Sequence, residues 1–144
     1  MAVADLAAQS QGKGPNACES LTAIGTRQSI SVTFLEQLFG KLRRAGVVES
    51  VRGAQGGYRL VQEPAEITLD RVIRAVDASP KAHGCTPETK IACTGLTDRC
   101  LTHDLWGALE SHIEGFLASI SVQDVVDGRL PMAQVDSGQL EAAE

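Results

Sequence analysis

At 144 residues the chain is of single-domain length, and 43% hydrophobic content with only 3% aromatic residues calls for an aliphatic core. It has no run of 18 apolar residues and no charged-then-apolar leader ending in a cleavage site, which excludes a membrane span and points to a soluble, cytoplasmic protein. The net charge of −5 argues against a nucleic-acid partner only until its distribution is read: residues 27–59 carry Arg27, Lys41, Arg43, Arg44, Arg52 and Arg59 against Glu36 and Glu49, whereas residues 60–144 hold six basic and fourteen acidic side chains. A basic segment inside an acidic chain marks where an anionic partner docks.

In chain order, Ala2–Gln11 reads as a short helix with Val3, Leu6 and Ala7 on one side, stopped by Gly12, Gly14 and Pro15. CESLTAIGTRQ (residues 18–28) reads as a second short helix, with Leu21 and Ile24 three apart. The clearest element is Ser31–Ala45, where Leu35, Leu38, Phe39 and Leu42 recur at helical spacing and Gly46 supplies a stop. Two β-prone runs, Val47–Val51 and Tyr58–Val61, then flank a loop with three glycines, the pattern of a hairpin. ITLDRVIRAVD returns to helix, with Leu69, Val72, Ile73 and Val76 apolar and Thr68 as N-cap. The longest helical pattern covers residues 101–126, with Leu105, Leu109, Ile113, Phe116, Leu117 and Ile120 in one continuous stripe. The last stretch is small and polar and is expected to be a disordered tail.

Helix, turn, helix and hairpin is the order of a winged helix, and Ser31–Ala45 is of a size to enter a DNA major groove. The side of this helix left free by its apolar stripe includes Thr33, Glu36, Gln37, Lys41 and Arg44. Gln37 can bond adenine with two hydrogen bonds and Glu36 can accept from cytosine, while Lys41, Arg43 and Arg44 suit phosphates. In RGAQGGY the glycines allow a tight wing tip, from which Arg52 and Gln55 reach an adjacent groove or phosphate. The plainer alternative is a T-x-x-E capping box between Thr33 and Glu36 with a solvated basic face beside it.

Between His83 and Trp106, HGCTPETKIACTGLTDRCLTHDLW holds three of the four cysteines but too little apolar surface to order itself. Its spacing is C-x7-C-x6-C-x2-H: Cys85, Cys93, Cys100 and His103. A helix beginning near Cys100 would place Cys100 and His103 on one side. Three thiolates and an imidazole suit tetrahedral zinc or an iron–sulfur cluster, and a bound metal supplies the order that burial cannot. Short C-x2-C turns are absent, and the alternative is three ordinary thiols on a flexible loop. His83 competes as a ligand, His112 reads as a surface residue, and Cys18 as a small buried hydrophobe. An enzyme finds little support: no nucleophile has a paired base, and the Gly-rich loop lies between strands rather than before a helix.

The segments SISVTFLEQLFGKLRRAGVVESVRGAQGGYRL, ITLDRVIRAVD and DRCLTHDLWGAL resemble the Rrf-type winged-helix repressors, and among them the branch that regulates iron–sulfur cluster assembly. The resemblance covers roughly residues 3–125. It implies a mainly α fold with a small β-hairpin wing: a winged helix-turn-helix over residues 1–78, a cluster-binding loop over 79–103, a long C-terminal dimerisation helix over 104–127 and the tail over 128–144. It further implies a bacterial homodimer that represses cluster-assembly genes from a DNA operator with two half-sites, receives its cluster from donor proteins and has no membrane partner. The implied cofactor is a [2Fe–2S] cluster on Cys85, Cys93, Cys100 and His103, with [4Fe–4S] or zinc as alternatives. The implied DNA contacts are Glu36, Gln37 and Arg52, with Thr33 near the groove, and the implied dimer contacts follow the stripe from Leu105 to Ile120. Nitric-oxide-sensing relatives share the three cysteines but lack this histidine, and they are the nearest rival. Family members open earlier, with a basic, Tyr-containing segment that grips DNA; its absence implies weaker DNA binding or a misassigned start.

Overall fold

The apolar stripe expected on the third helix is the one around which the core is built. The computed structural model describes residues 2–14, 17–53, 56–76 and 102–131. They form α1 (Ala2–Ser10), α2 (Leu21–Gln28), α3 (Val32–Arg44), β1 (Val48–Val51), β2 (Gly57–Leu60), a 3-10 turn at Pro64–Glu66, α4 (Leu69–Val76), α5 (His103–Ser119) and α6 (Val122–Val126). Leu35, Phe39 and Leu42 of α3 are buried together with Leu6 of α1, Ile24 of α2, Val47 and Val48 at the start of the hairpin, and Ile67. The aliphatic composition is thus satisfied around one aromatic pair: the Phe39 and Tyr58 rings meet edge-on with centroids 5.0 Å apart.

α2 and α3 are joined by a tight turn. Ser29 takes the left-handed conformation, with φ of 55°, and the Ile30 N–H donates to the Gly25 carbonyl at 3.0 Å. A side chain at position 25 would place its Cβ 2.7 Å from the Ile30 carbonyl oxygen, so glycine is required for the two helices to close on each other. The hairpin pairs Val48 with Leu60, Glu49 with Arg59, Ser50 with Tyr58 and Val51 with Gly57.

Two expectations are corrected. The second helix does not begin at Cys18, because the preceding segment is extended and pairs with the hairpin. Glu19 and Tyr58 exchange backbone hydrogen bonds of 3.0 and 2.9 Å, and the helix starts only after its N-cap Ser20. This approach is close enough that a Cβ on Gly57 would lie 2.3 Å from the Glu19 carbonyl oxygen. The C-terminal pattern is likewise not one helix through residue 127. α5 ends at Ser119, and Ile120 is extended, with φ of −110° and ψ of 128°.

The break arises because Ile120 leaves the helix to join the core. Its carbonyl accepts from Leu69 N at 2.9 Å, and Val122 N donates to Ile67 O at 2.8 Å. Ile120 and Val122 are each only 1% exposed. Ser121 then caps α6 through a reciprocal capping box with Asp124, and α6 packs against α1 and the 3-10 turn. The chain therefore returns to its N-terminal core after α5, which the periodicity of residues 101–126 does not register. Thr68 does act at the head of α4 as expected, its hydroxyl accepting from Arg71 N at 3.4 Å.

Candidate nucleic-acid interface

α3 is capped by Ser31, whose hydroxyl accepts from Phe34 N at 3.3 Å. Thr33 therefore lies inside the helix, and the capping box between Thr33 and Glu36 is not formed. With Leu35, Phe39 and Leu42 turned inward, Thr33, Glu36, Gln37, Arg43 and Arg44 are all exposed. Among the described residues Glu36 and Gln37 make no side-chain hydrogen bond or ion pair within the chain. Arg52 is exposed just past the end of β1, and Gln55, the other wing residue singled out, lies outside the described residues.

The positive charge is distributed differently from the simple count. Arg27 is turned toward α1, where its Nη2 lies 2.7 Å from Asp5 Oδ2 and 3.1 Å from Glu19 Oε2. Lys13 completes that cluster at 2.8 Å from Glu19. Arg59 pairs with Glu49 at 2.7 Å, on the same rung of the hairpin. Lys41, expected at a phosphate, is exposed and donates from Nζ to the Val76 carbonyl at 2.7 Å, where an ammonium complements the C-terminal end of α4. Arg71 of α4 donates back to the Gly46 carbonyl at 3.0 Å and also to Gln62. Among the described residues Arg44 bonds only the Gly40 carbonyl of its own helix, at 3.2 Å. Among the described residues, the exposed cations of the segment without a carboxylate partner are Lys41, Arg43, Arg44 and Arg52, a smaller set than its six basic residues.

Of the proposed metal ligands, Cys85, Cys93 and Cys100 lie outside the described residues, as does His83. For His103 only the backbone is described, as the first residue of α5. The expected alignment of Cys100 with His103 therefore lies outside the described residues. Cys18 is half-buried rather than fully buried, and His112 is exposed on α5 as expected.

The Rrf2 family model, described as iron-dependent transcriptional regulators, matches residues 1–128. The chain belongs to the Rrf2 family. Within it, the chain is 46% identical over 128 residues to the HTH-type transcriptional regulator IscR of Photorhabdus laumondii, covering 89% of this chain and 74% of that one. It is 52% identical over 106 residues to the IscR of Aliivibrio salmonicida, covering 74% of this chain and 61% of the relative. Among solved structures, IscR of T. potens superposes with a TM-score of 0.67 at 38% identity, covering 92% of this chain and 85% of that one. The cysteine regulator CymR of B. subtilis gives 0.68 at 29% identity, covering 88% of each chain. Membership in the Rrf2 family makes the chain a DNA-binding transcriptional regulator with a winged-helix fold. No described helix is long and apolar enough to cross a membrane.

On α5, Leu105, Leu109 and Phe116 are exposed, at 65%, 40% and 43%. Ile113 and Leu117 are half-buried, and α5 packs against α4, with an Arg74–Glu114 ion pair at 3.2 Å between the two helices. Ile120, the last residue of the expected stripe, is inside the core and leaves it. Two exposed aromatic residues were missed in the sequence reading, Phe34 on α3 and Trp106 on α5. The signal available was their scarcity, since the chain has three Phe, one Tyr and one Trp.

The Asp5–Arg27–Glu19–Lys13 cluster anchors the turn before α3, and its charge state is pH-dependent. Hydrogen bonding from Arg27 holds the Asp5 carboxyl below its ordinary value, and bonding from Lys13 and then Arg27 does the same for Glu19. Depressed folded-state values mean that this stabilisation is present above the unfolded values, roughly pH 4, and is lost as pH falls through the folded values. Asp5→Asn is expected to cost about 2 kcal/mol at neutral pH, the size of a hydrogen bond to a charged group. Denaturant titrations should show that cost shrinking toward acid pH, and a cost that is the same throughout would contradict the assignment.

Proposed function

We propose that this regulator is an iron–sulfur-cluster-dependent repressor of cluster-assembly genes, acting in the cytoplasm as a homodimer on an operator with two half-sites. The observation that carries the DNA-reading half is the face of α3. Thr33, Glu36 and Gln37 are exposed in its N-terminal half and have no partner within the described chain, and base-reading residues occupy that half of a recognition helix. Gln37 presents the amide that matches adenine N6 and N7, and Glu36 a carboxylate that accepts from cytosine N4. Arg43, Arg44 and Arg52 supply cations for phosphates, with Gln55 beside Arg52 in the wing loop. Lys41, exposed and bonded to the Val76 carbonyl, adds a fourth cation for phosphates.

A carboxylate in a groove also repels phosphate and tolerates few bases, so Glu36 selects by exclusion as well as by bonding. Glu36→Ala is expected to narrow the affinity ratio between two operator types in titrations at fixed salt, with and without cluster. Arg52→Ala should weaken binding to both operator types alike. An unchanged ratio for Glu36→Ala would remove its discriminating role.

For the cluster, support comes from the donor set: Cys85, Cys93, Cys100 and His103 provide three thiolates and an imidazole, a set suited to iron–sulfur ligation. Resemblance to the IscR relatives favours [2Fe–2S] over [4Fe–4S] or zinc. Bound there, the cluster would order the segment through its ligands, with donor proteins as its source. Protein purified anaerobically should be brown, with about two irons and two sulfides per chain. Cys85→Ala, Cys93→Ala and Cys100→Ala should each lose the visible absorption, and Cys18→Ala should keep it. A colourless protein containing zinc would overturn the assignment.

For the dimer, support comes from the exposed apolar row Leu105, Leu109 and Phe116, with Ile113 and Leu117 at its edge. A single winged helix reads few base pairs, and twofold pairing of α5 would present two. Phe116→Asp is expected to yield monomers by sedimentation that no longer hold the operator. Ile120→Ala, by contrast, should leave association intact and lower folding stability by about 2–5 kcal/mol as a core truncation. An unchanged dimer in Phe116→Asp would reject α5 as the interface.

A further inference from the structure

Phe34 is the one large aromatic of the described winged-helix core region that the fold leaves outside. It sits in the first turn of α3 beside the buried Leu35, yet is 52% exposed. Leaving a phenylalanine half in water forgoes part of the roughly 1.5–3 kcal/mol that its full burial would yield. At 3.6 residues per turn, Phe34 and Glu36 flank Thr33 and Gln37 on opposite sides, so the ring borders the face just assigned to DNA. Its position near the helix N-terminus is where side chains reach base edges.

A phenyl ring has no donor or acceptor, so it can bond neither a phosphate nor the polar edge of a base. The apolar group that a major groove offers at its base edges is the C5-methyl of thymine. We propose that Phe34 is a specificity-determining residue of this regulator, packing on a thymine methyl next to the base pair read by Gln37. The inference rests on the DNA-reading face proposed above and adds to it a preference that hydrogen bonding cannot supply. On one flank Glu36 excludes, and on the other Phe34 attracts.

Replacing thymine by uracil removes only the methyl and leaves every hydrogen-bonding edge in place, which makes the contact separable. Duplexes selected from a random pool by the full chain, purified anaerobically, would be scanned with single thymine-to-uracil replacements. At one position in a half-site the unaltered protein should lose about fourfold in affinity, the value of one buried methyl. Phe34→Ala should bind more weakly and be indifferent to that replacement, and Phe34→Leu should retain part of the sensitivity. Because the ring is exposed, both variants should melt close to the unaltered protein, and Phe34→Leu carries the test if Phe34→Ala does not fold. A uracil penalty of equal size in all three proteins, or no penalty at any thymine, would overturn the role of Phe34 while leaving the DNA-reading face intact. Failure of the unaltered protein to select any duplex would overturn that face and this inference together.

Discussion

The outward face of α3 exists because its opposite face has nowhere else to go. Leu35 and Phe39 are fully buried and Leu42 nearly so, against α1, α2 and the start of the hairpin. Each is worth roughly 1.5–3 kcal/mol when buried, so a rotation of the helix about its axis would forfeit most of what holds it. Thr33, Glu36 and Gln37 are thereby presented without any side-chain interaction among the described residues fixing them. The tight turn at Gly25 and Ser29 and the cap at Ser31 set where this helix begins, and the core sets which way it faces.

Electrostatics refine that face rather than create it. An acidic chain presents cations there because other cations of the same segment are matched internally: Arg27 by Asp5 and Glu19, and Arg59 by Glu49. Lys41, Arg43, Arg44 and Arg52 are left exposed, and on the proposed DNA-reading face they are few enough that a carboxylate beside them still matters. Binding led by a few cations is salt-sensitive but not indiscriminate, which suits a regulator that must leave most of a genome alone.

α4 ties the reading helix to the remainder of the chain. Its Arg71 bonds the Gly46 carbonyl just past α3, and its terminal carbonyl at Val76 accepts from Lys41 of α3. On its other side Arg74 reaches Glu114 of α5. The cysteine-bearing segment lies between α4 and α5 in sequence, so both of its flanking helices belong to one packed unit with α3.

By itself the sequence determined the elements whose signals are local. α3 was legible from Ser31 to Ala45 because its period and its stop lie within one stretch, although its cap is Ser31 rather than Thr33, and the hairpin was legible from two β-prone runs around glycines. The family motifs were legible for the same reason. Only the tertiary structure decided where long side chains and chain returns end up. Lys41 and Val76 are 35 residues apart and Arg27 and Asp5 are 22 apart, so no local pattern could show which partners these cations take. Ile120 kept the helical period of the residues before it, yet its pairing with Leu69, and that of Val122 with Ile67, drew it out of the helix and into the core. Periodicity reports which residues prefer burial, but the partner that buries them is chosen by packing across the whole fold.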